Sequence, residues 1–168
     1  MSKCKLFSMI DKAIFEYTLI EGGDKILVGA SGGKDSTALF EYFAYRKKQN
    51  RDNFEFKALH IGTEISSPIS PDLLKMFETW NVDLEIIDVD VLGRLKENKK
   101  MNCWWCSTQR RTELNNYAIE NGYNKIALGH HLDDILETLL MNALNKGEFS
   151  TMIPRLKYEK YPVTIIRP

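Results

Sequence analysis

Cysteine is scarce, with three in 168 residues, and two of those lie only three positions apart. An odd count in that arrangement fits a reducing compartment with a metal or redox use for the thiols better than a disulfide framework. No sign of charge is in excess: 23 basic residues balance 23 acidic ones. A strongly basic nucleic-acid protein is therefore excluded for the chain as a whole, although a local basic patch is not. Apolar runs are short, and none approaches the roughly 18 residues of a membrane span. The N-terminal Leu6-Phe7-Ser8-Met9-Ile10 run is broken at once by Asp11 and Lys12, so no export signal is read. Prolines number five, with no Pro/Gly/Ser-rich linker and no internal repeat to divide the chain. With 43% hydrophobic and 27% charged residues, one globular core is expected. A chain of this length buries about 70% of its unfolded surface and needs no staple merely to fold.

Short dense apolar runs alternate with helical-period stretches, the sequence form of an α/β protein. Residues 5 to 19 read as an amphipathic helix, ended by Gly22-Gly23-Asp24. Lys25 to Ala30 is a compact strand, Gly32-Gly33 a turn, and Ala38, Leu39, Tyr42 and Phe43 restart a helical period. Phe56 to Ile61 and Leu84 to Val89 read as further strands around a helix from Pro71 to Trp80, where proline suits the first turn. Thr108 to Asn121 reads as a helix, Ile126 to Leu128 as a strand, Asp133 to Leu144 as a helix and Val163 to Ile166 as a closing strand. The expectation is an α/β fold with a five-stranded parallel sheet, helices on both faces and ligand chemistry at the carboxyl ends of the strands.

Two strand-to-helix junctions carry the chemistry. At Ser31-Gly32-Gly33-Lys34-Asp35-Ser36, glycines let backbone N–H groups close around an anion while the helix N-terminus adds positive potential. The spacing is not that of the generic P-loop, which needs four residues between its first glycine and Gly-Lys. At Gly129-His130-His131-Leu132-Asp133-Asp134, two histidines and two carboxylates could bind a metal, hold a nucleotide or cap a helix, with Asp133 as the expected N-cap. Both junctions fall on one edge of the sheet, where a single nucleotide could touch both.

The hexapeptide resembles the SGGxDS motif of the PP-loop ATP pyrophosphatases. Residues 25 to 39, the Cys103 to Cys106 pair, Gly129 to Asn142 and the closing Ile165-Ile166-Arg167-Pro168 together resemble the tRNA 2-thiocytidine synthetase branch of that family. The resemblance implies a PP-loop adenine-nucleotide hydrolase (Rossmann-like) fold, with 1–168 as one PP-loop ATPase domain lacking a C-terminal extension. It implies an activity in which ATP adenylates a carbonyl oxygen of a tRNA base, most readily cytidine, pyrophosphate leaves, and sulfur displaces AMP. By the same resemblance Ser31, Gly32, Gly33 and Ser36 hold the pyrophosphate end of ATP, Lys34 offsets its charge, and Asp35 helps place Mg²⁺. Ala30, Leu59 and His60 border the adenosine, Gly129 and His130 meet it from the fourth strand, and Asp133 and Asp134 stand on the ATP and magnesium side. His60 reads equally as a structural histidine. The implied partners are tRNA, a sulfur donor (sulfide or a sulfur-carrier protein) and a second copy in a homodimer, in a cytoplasmic setting without a membrane. The rivals are another sulfur-handling PP-loop enzyme acting on a different base or a small molecule, and a non-catalytic nucleotide-binding subunit.

By spacing alone, Cys103-Trp104-Trp105-Cys106 reads as a metal half-site, a redox disulfide or a pair of structural thiols. The related synthetases hold a 4Fe-4S cluster on such a pair plus a third cysteine beyond the Arg-Pro segment, a position this sequence does not reach. Three accounts stay open: the chain is a fragment or an unusually shortened protein, which is favoured; Cys4 or a partner completes the site; or no cluster is used. Arg94, Lys96, Lys99, Lys100, Arg110 and Arg111, with Trp104 and Trp105 among them and Glu97 as the lone acid, make a candidate RNA-facing patch. Arg155, Lys157, Lys160 and Arg167 are candidates to extend it. The competing reading is a solvated loop with tryptophans shielding the cysteines.

Overall fold

The computed structural model describes residues 5–97, 100–158 and 161–168. In chain order the elements are α1 (Lys5–Tyr17), β1 (Lys25–Gly29), α2 (Lys34–Lys48), β2 (Glu55–Thr63), α3 (Pro71–Trp80), β3 (Leu84–Val89), α4 (Cys103–Glu120), β4 (Lys125–Ala127), α5 (Leu132–Lys146), β5 (Arg155–Lys157) and β6 (Thr164–Ile166). The strands form one sheet in the order β3-β2-β1-β4-β6-β5. All neighbours are parallel except β5 and β6, which are antiparallel.

The expected five parallel strands are present, and the correction is a sixth. Arg155–Lys157 carries two charged residues in three and is buried on neither side, so it has no strand signature of its own. It becomes a strand only because Leu156 pairs with Ile165 and closes the exposed edge of β6.

Side-chain alternation in β1 explains how both faces of the sheet are filled. Ile26 and Val28 enter one core with Ile14, Phe40, Phe43 and Phe77 from α1, α2 and α3. Leu27, between them, enters the other with Leu59, Ile126 and Ile165 and with Leu114 and Ala118 of α4. Each large side chain so buried contributes about 1.5–3 kcal/mol, and burial on both faces is why β1 reads as a continuous apolar run.

Polar ties fix the helices. Arg46 bonds Asp11 of α1, Asp52 and the Tyr42 hydroxyl, joining α1 to α2. Ser70 caps α3 by accepting from Leu73 N, with Pro71 at its first position. Helix α4 starts five residues earlier than the periodicity places it. Asn102 accepts from Trp105 N as N-cap, so the cysteine pair lies in the first helical turn rather than in a loop before it.

Helix α5 has no buried residue, and its i, i+4 row Leu132, Leu136, Leu140 and Leu144 is exposed. No helix among the described residues is long and apolar enough to cross a membrane.

The sheet order reverses beside β1, with β2 on one side and β4 on the other. The turns leaving β1 and β4 therefore rise next to each other at the carboxyl edge, where α/β sheets bind ligands.

Candidate functional site

The turn after β1 is shaped by its own residues. Gly32 sits at φ +83°, a left-handed conformation that favours glycine. Gly33 then enters α2 as an extended N-cap with no side-chain cap. The first-turn N–H groups of α2 have no intrahelical acceptor, and Gly33 has no side chain to cap them, so the turn is open to an anion. The Ser31 and Ser36 hydroxyls lie 2.9 Å apart, Ser36 Oγ donates to the Gly33 carbonyl at 3.0 Å, and Gly33 N donates to Ser31 Oγ at 3.3 Å. Thr37 Oγ1 adds a second bond to the Gly33 carbonyl at 2.9 Å. The two serines thus brace the loop from within.

The turn after β4 packs directly against it. A Cβ on Gly129 would lie 2.8 Å from Ser36 N, 2.9 Å from Ser36 Cα and 3.0 Å from the Asp35 carbonyl carbon. Only a glycine lets these two backbones touch. Beyond it, His131 rather than Asp133 is the N-cap of α5. Its Nδ1 accepts from Asp133 N, and its own N–H donates to the Asp134 carboxylate at 2.7 Å, a reciprocal capping box. The expected cap shifts by two residues because the box needs its acid at the third helical position, which Asp134 occupies. His131 Nε2 also lies 3.9 Å from Asp35 and 3.7 Å from Asp134, bridging the two junctions.

A cavity of about 400 Å³ opens between the turns. Gly29, Ala30, Leu59 and Ile61 form its floor, Ser31, Asp35 and Ser36 one wall, and Gly129, His130 and Asp134 another. Helix α4 closes the remaining side with Ser107, Arg110, Arg111 and Leu114. His130 is half-buried, and its Nδ1 has no partner. Burial, reinforced by the Arg167 charge, pushes its imidazole below the usual 6.5, so it is neutral at neutral pH and presents an uncharged ring to the cavity.

Of the residues singled out from sequence, Ala30, Ser31, Asp35, Ser36, Leu59, Gly129, His130 and Asp134 meet around this one cavity. Gly32, Gly33 and Lys34 lie exposed on the outer rim of the turn. Asp133 is exposed and does not line the cavity. His60 is 3% exposed and lies beneath the floor, its Nδ1 within 2.6 Å of the Ala30 carbonyl, so it positions the strand end.

Cys103 is exposed and Cys106 half-buried, both free and one turn apart on α4. Among the described residues no three His, Cys, Asp or Glu side chains converge to hold a metal. Cys4, Lys99 and Lys160 lie outside the described residues. The basic patch divides: Arg110 and Arg111 line the cavity, Arg94 is paired with Glu113, and Arg155 is committed to Glu21 and the Thr18 carbonyl.

Sequence reasoning places Arg110 and Arg111 on an RNA patch and passes over Ser107 and Leu114. Their three- and four-residue spacing along one helix face was the available signal, but it points to the cavity only once α4 is known to start at Cys103 and to lie on the sheet.

Comparison with known proteins agrees with this architecture. The family model described as the PP-loop domain matches residues 6–168. The tRNA-cytidine(32) 2-sulfurtransferase of Marinobacter nauticus is 36% identical over 165 residues, which are 95% of this chain and 54% of that protein. Its counterpart from Legionella pneumophila is 34% identical over 167 residues, 98% of this chain and 59% of that protein. The chain spans little more than half the length of these curated relatives. Among solved structures, the U34-tRNA thiolase NcsA from Methanococcus maripaludis with its [4Fe-4S] cluster aligns at a TM-score of 0.73 and 27% identity, covering 96% of this chain and 57% of that one. With the turn geometry and the family match in agreement over nearly its whole length, the chain belongs to the PP-loop family.

Proposed function

We propose that residues 1–168 act as one PP-loop ATPase domain of a tRNA sulfurtransferase that activates a base carbonyl, most readily that of cytidine, with ATP. The observation that carries this reading is the packing of Gly129 against Ser36, which fuses two anion- and nucleoside-facing turns into one cavity opposite two arginines.

In this reading the ATP phosphates lie against Ser31, Gly32, Gly33 and Ser36, with Lys34 reaching in from the rim. The adenosine lies on Ala30 and Leu59 beside Gly129 and neutral His130. The base oxygen attacks the α-phosphorus and expels pyrophosphate, whose growing charge the α2 N-terminus and Arg110 and Arg111 stabilise. The donor sulfur, from sulfide or a sulfur-carrier protein, then attacks the activated carbon, and AMP departs with the former carbonyl oxygen. Asp35 fits a Mg²⁺ role, because Mg²⁺ takes one or two protein carboxylates and completes its shell with phosphate oxygens and water. Asp134 stands on the same side, already committed to the α5 cap, while Asp133 lies outside the cavity.

Two of the ligands that a 4Fe-4S cluster needs are present. Cys103 and Cys106 supply two thiolates, and the described residues bring no third ligand to them.

A homodimer in the cytoplasm is part of the reading. The exposed leucine row of α5 supports it, since it offers an apolar stripe that a second copy would cover. Sedimentation of Leu140→Glu against wild type checks this; a dimer that survives the charge lies elsewhere.

Asp35→Asn tests the activity. Pyrophosphate release with ATP, tRNA and sulfide is expected to fall about 100-fold while the melting temperature stays unchanged. An unaltered rate would remove Asp35 from the reaction.

A further inference from the structure

The two tryptophans between the cysteines have different fates. Trp105 turns inward, and its Nε1 donates to the Val91 carbonyl at 3.0 Å. Trp104 turns outward and is 72% exposed. Its backbone is fixed, since its carbonyl accepts from both Ser107 Oγ at 3.0 Å and Thr108 Oγ1 at 2.7 Å.

Position on the helix then decides what the exposed ring faces. Trp104, Ser107 and Arg111 fall at i, i+3 and i+7, one stripe of α4, and the latter two line the nucleotide cavity. Helical side chains lean toward the N-terminus, so the indole lies at the N-terminal end of α4, beyond Ser107 on the same stripe. An aromatic face thus continues outward the stripe on which Ser107 and Arg111 line the cavity.

We infer that Trp104 is a stacking platform for the unpaired RNA base presented for modification, holding that base at the cavity mouth with its carbonyl edge toward the ATP site. A flat indole surface recognises any extruded base by its π-face, while Arg111, two turns on along the same stripe, keeps its charge for the phosphates in the cavity. Paired bases, stacked inside a duplex, present no such face. Trp104 is a binding and positioning residue, and the inference rests on the RNA-directed reading above.

The test compares binding of a labelled RNA hairpin with an unpaired cytidine-containing loop and of a fully paired duplex of equal length. Wild type, Trp104→Ala and Trp104→Phe are measured by anisotropy, with tryptophan emission followed during titration. Wild type is expected to prefer the hairpin and to lose emission on binding it. Trp104→Ala should lower hairpin affinity about tenfold, to the level of the duplex, and Trp104→Phe should keep most of it. A wild type that does not prefer the hairpin overturns the RNA reading and this inference with it. A preference that Trp104→Ala retains, or that alanine and phenylalanine reduce alike, overturns the stacking role alone and leaves the RNA reading standing. So does a Trp104→Ala variant that binds RNA normally but loses self-association, which would make the indole a protein contact.

Discussion

Gly129→Val is expected to lower ATP affinity by one to two orders of magnitude, an effect of about 1–3 kcal/mol. The added Cβ would meet Ser36 N, Ser36 Cα and the Asp35 carbonyl carbon at 2.8 to 3.0 Å, and all three are backbone atoms of α2. A flexible side chain could swing aside, but a helix start can yield only by moving the whole turn. That movement separates the two walls of the cavity and draws the first-turn N–H groups away from the phosphate position. Gly32→Ala makes an informative control. Nothing lies within 4 Å of its Cβ position, so its cost comes from the φ of +83° rather than from space. It strains the loop by about 1–2 kcal/mol without prising the junctions apart. Calorimetric titration with ATP, paired with a thermal melt of each variant, separates the two effects. Affinity equal to wild type in Gly129→Val would show that the contact does not shape the site.

Lys125→Met is expected to destabilise the protein by about 3–5 kcal/mol, the usual cost of stranding a buried partner. Its side chain is 4% exposed at the first residue of β4, with Nζ 2.7 Å from Asp24 and 3.0 Å from Glu21. Asp24 is itself buried and also accepts from Glu21 N and Asn124 Nδ2. Methionine fills the volume but leaves the Asp24 carboxylate without its cation. The melting temperature of a chain this size should fall by roughly 6–20 °C. Combining the change with Asp24→Asn removes the stranded charge and should recover part of the loss, which a single-site packing defect would not permit. A melt within a degree or two of wild type would show that water compensates the carboxylate.

The Lys125 cluster also shows what pattern reading could not reach. Each of its members looks like an ordinary surface charge in the sequence. They become a buried network because β1 and β4 pair side by side, bringing Asp24 and Lys125 together across 101 positions of chain. The same holds for β5. Its three residues have no alternating pattern, and pairing with β6 alone makes them a strand. The apolar period by itself starts α4 only at Thr108, because the Cys-Trp-Trp-Cys stretch carries no helical period, whereas Asn102 capping Trp105 N starts the helix at Cys103.

Local pattern alone specifies the α/β class, most of the helices, five of the strands and the two glycine-bearing turns at the carboxyl edge of the sheet. Those features are local: a glycine pair after an apolar run, a helical period, a strand buried on both faces. The tertiary structure decided which of the chosen residues meet. It gathered Asp35, His130 and Asp134 around one cavity, set His60 beneath its floor, left Asp133 outside it, and turned Arg110 and Arg111 inward. It also parted two adjacent tryptophans, one hydrogen-bonded to Val91 and one facing solvent. The physical reason is that a residue's type follows from its place in the chain, whereas its neighbours follow from the order in which the strands pair.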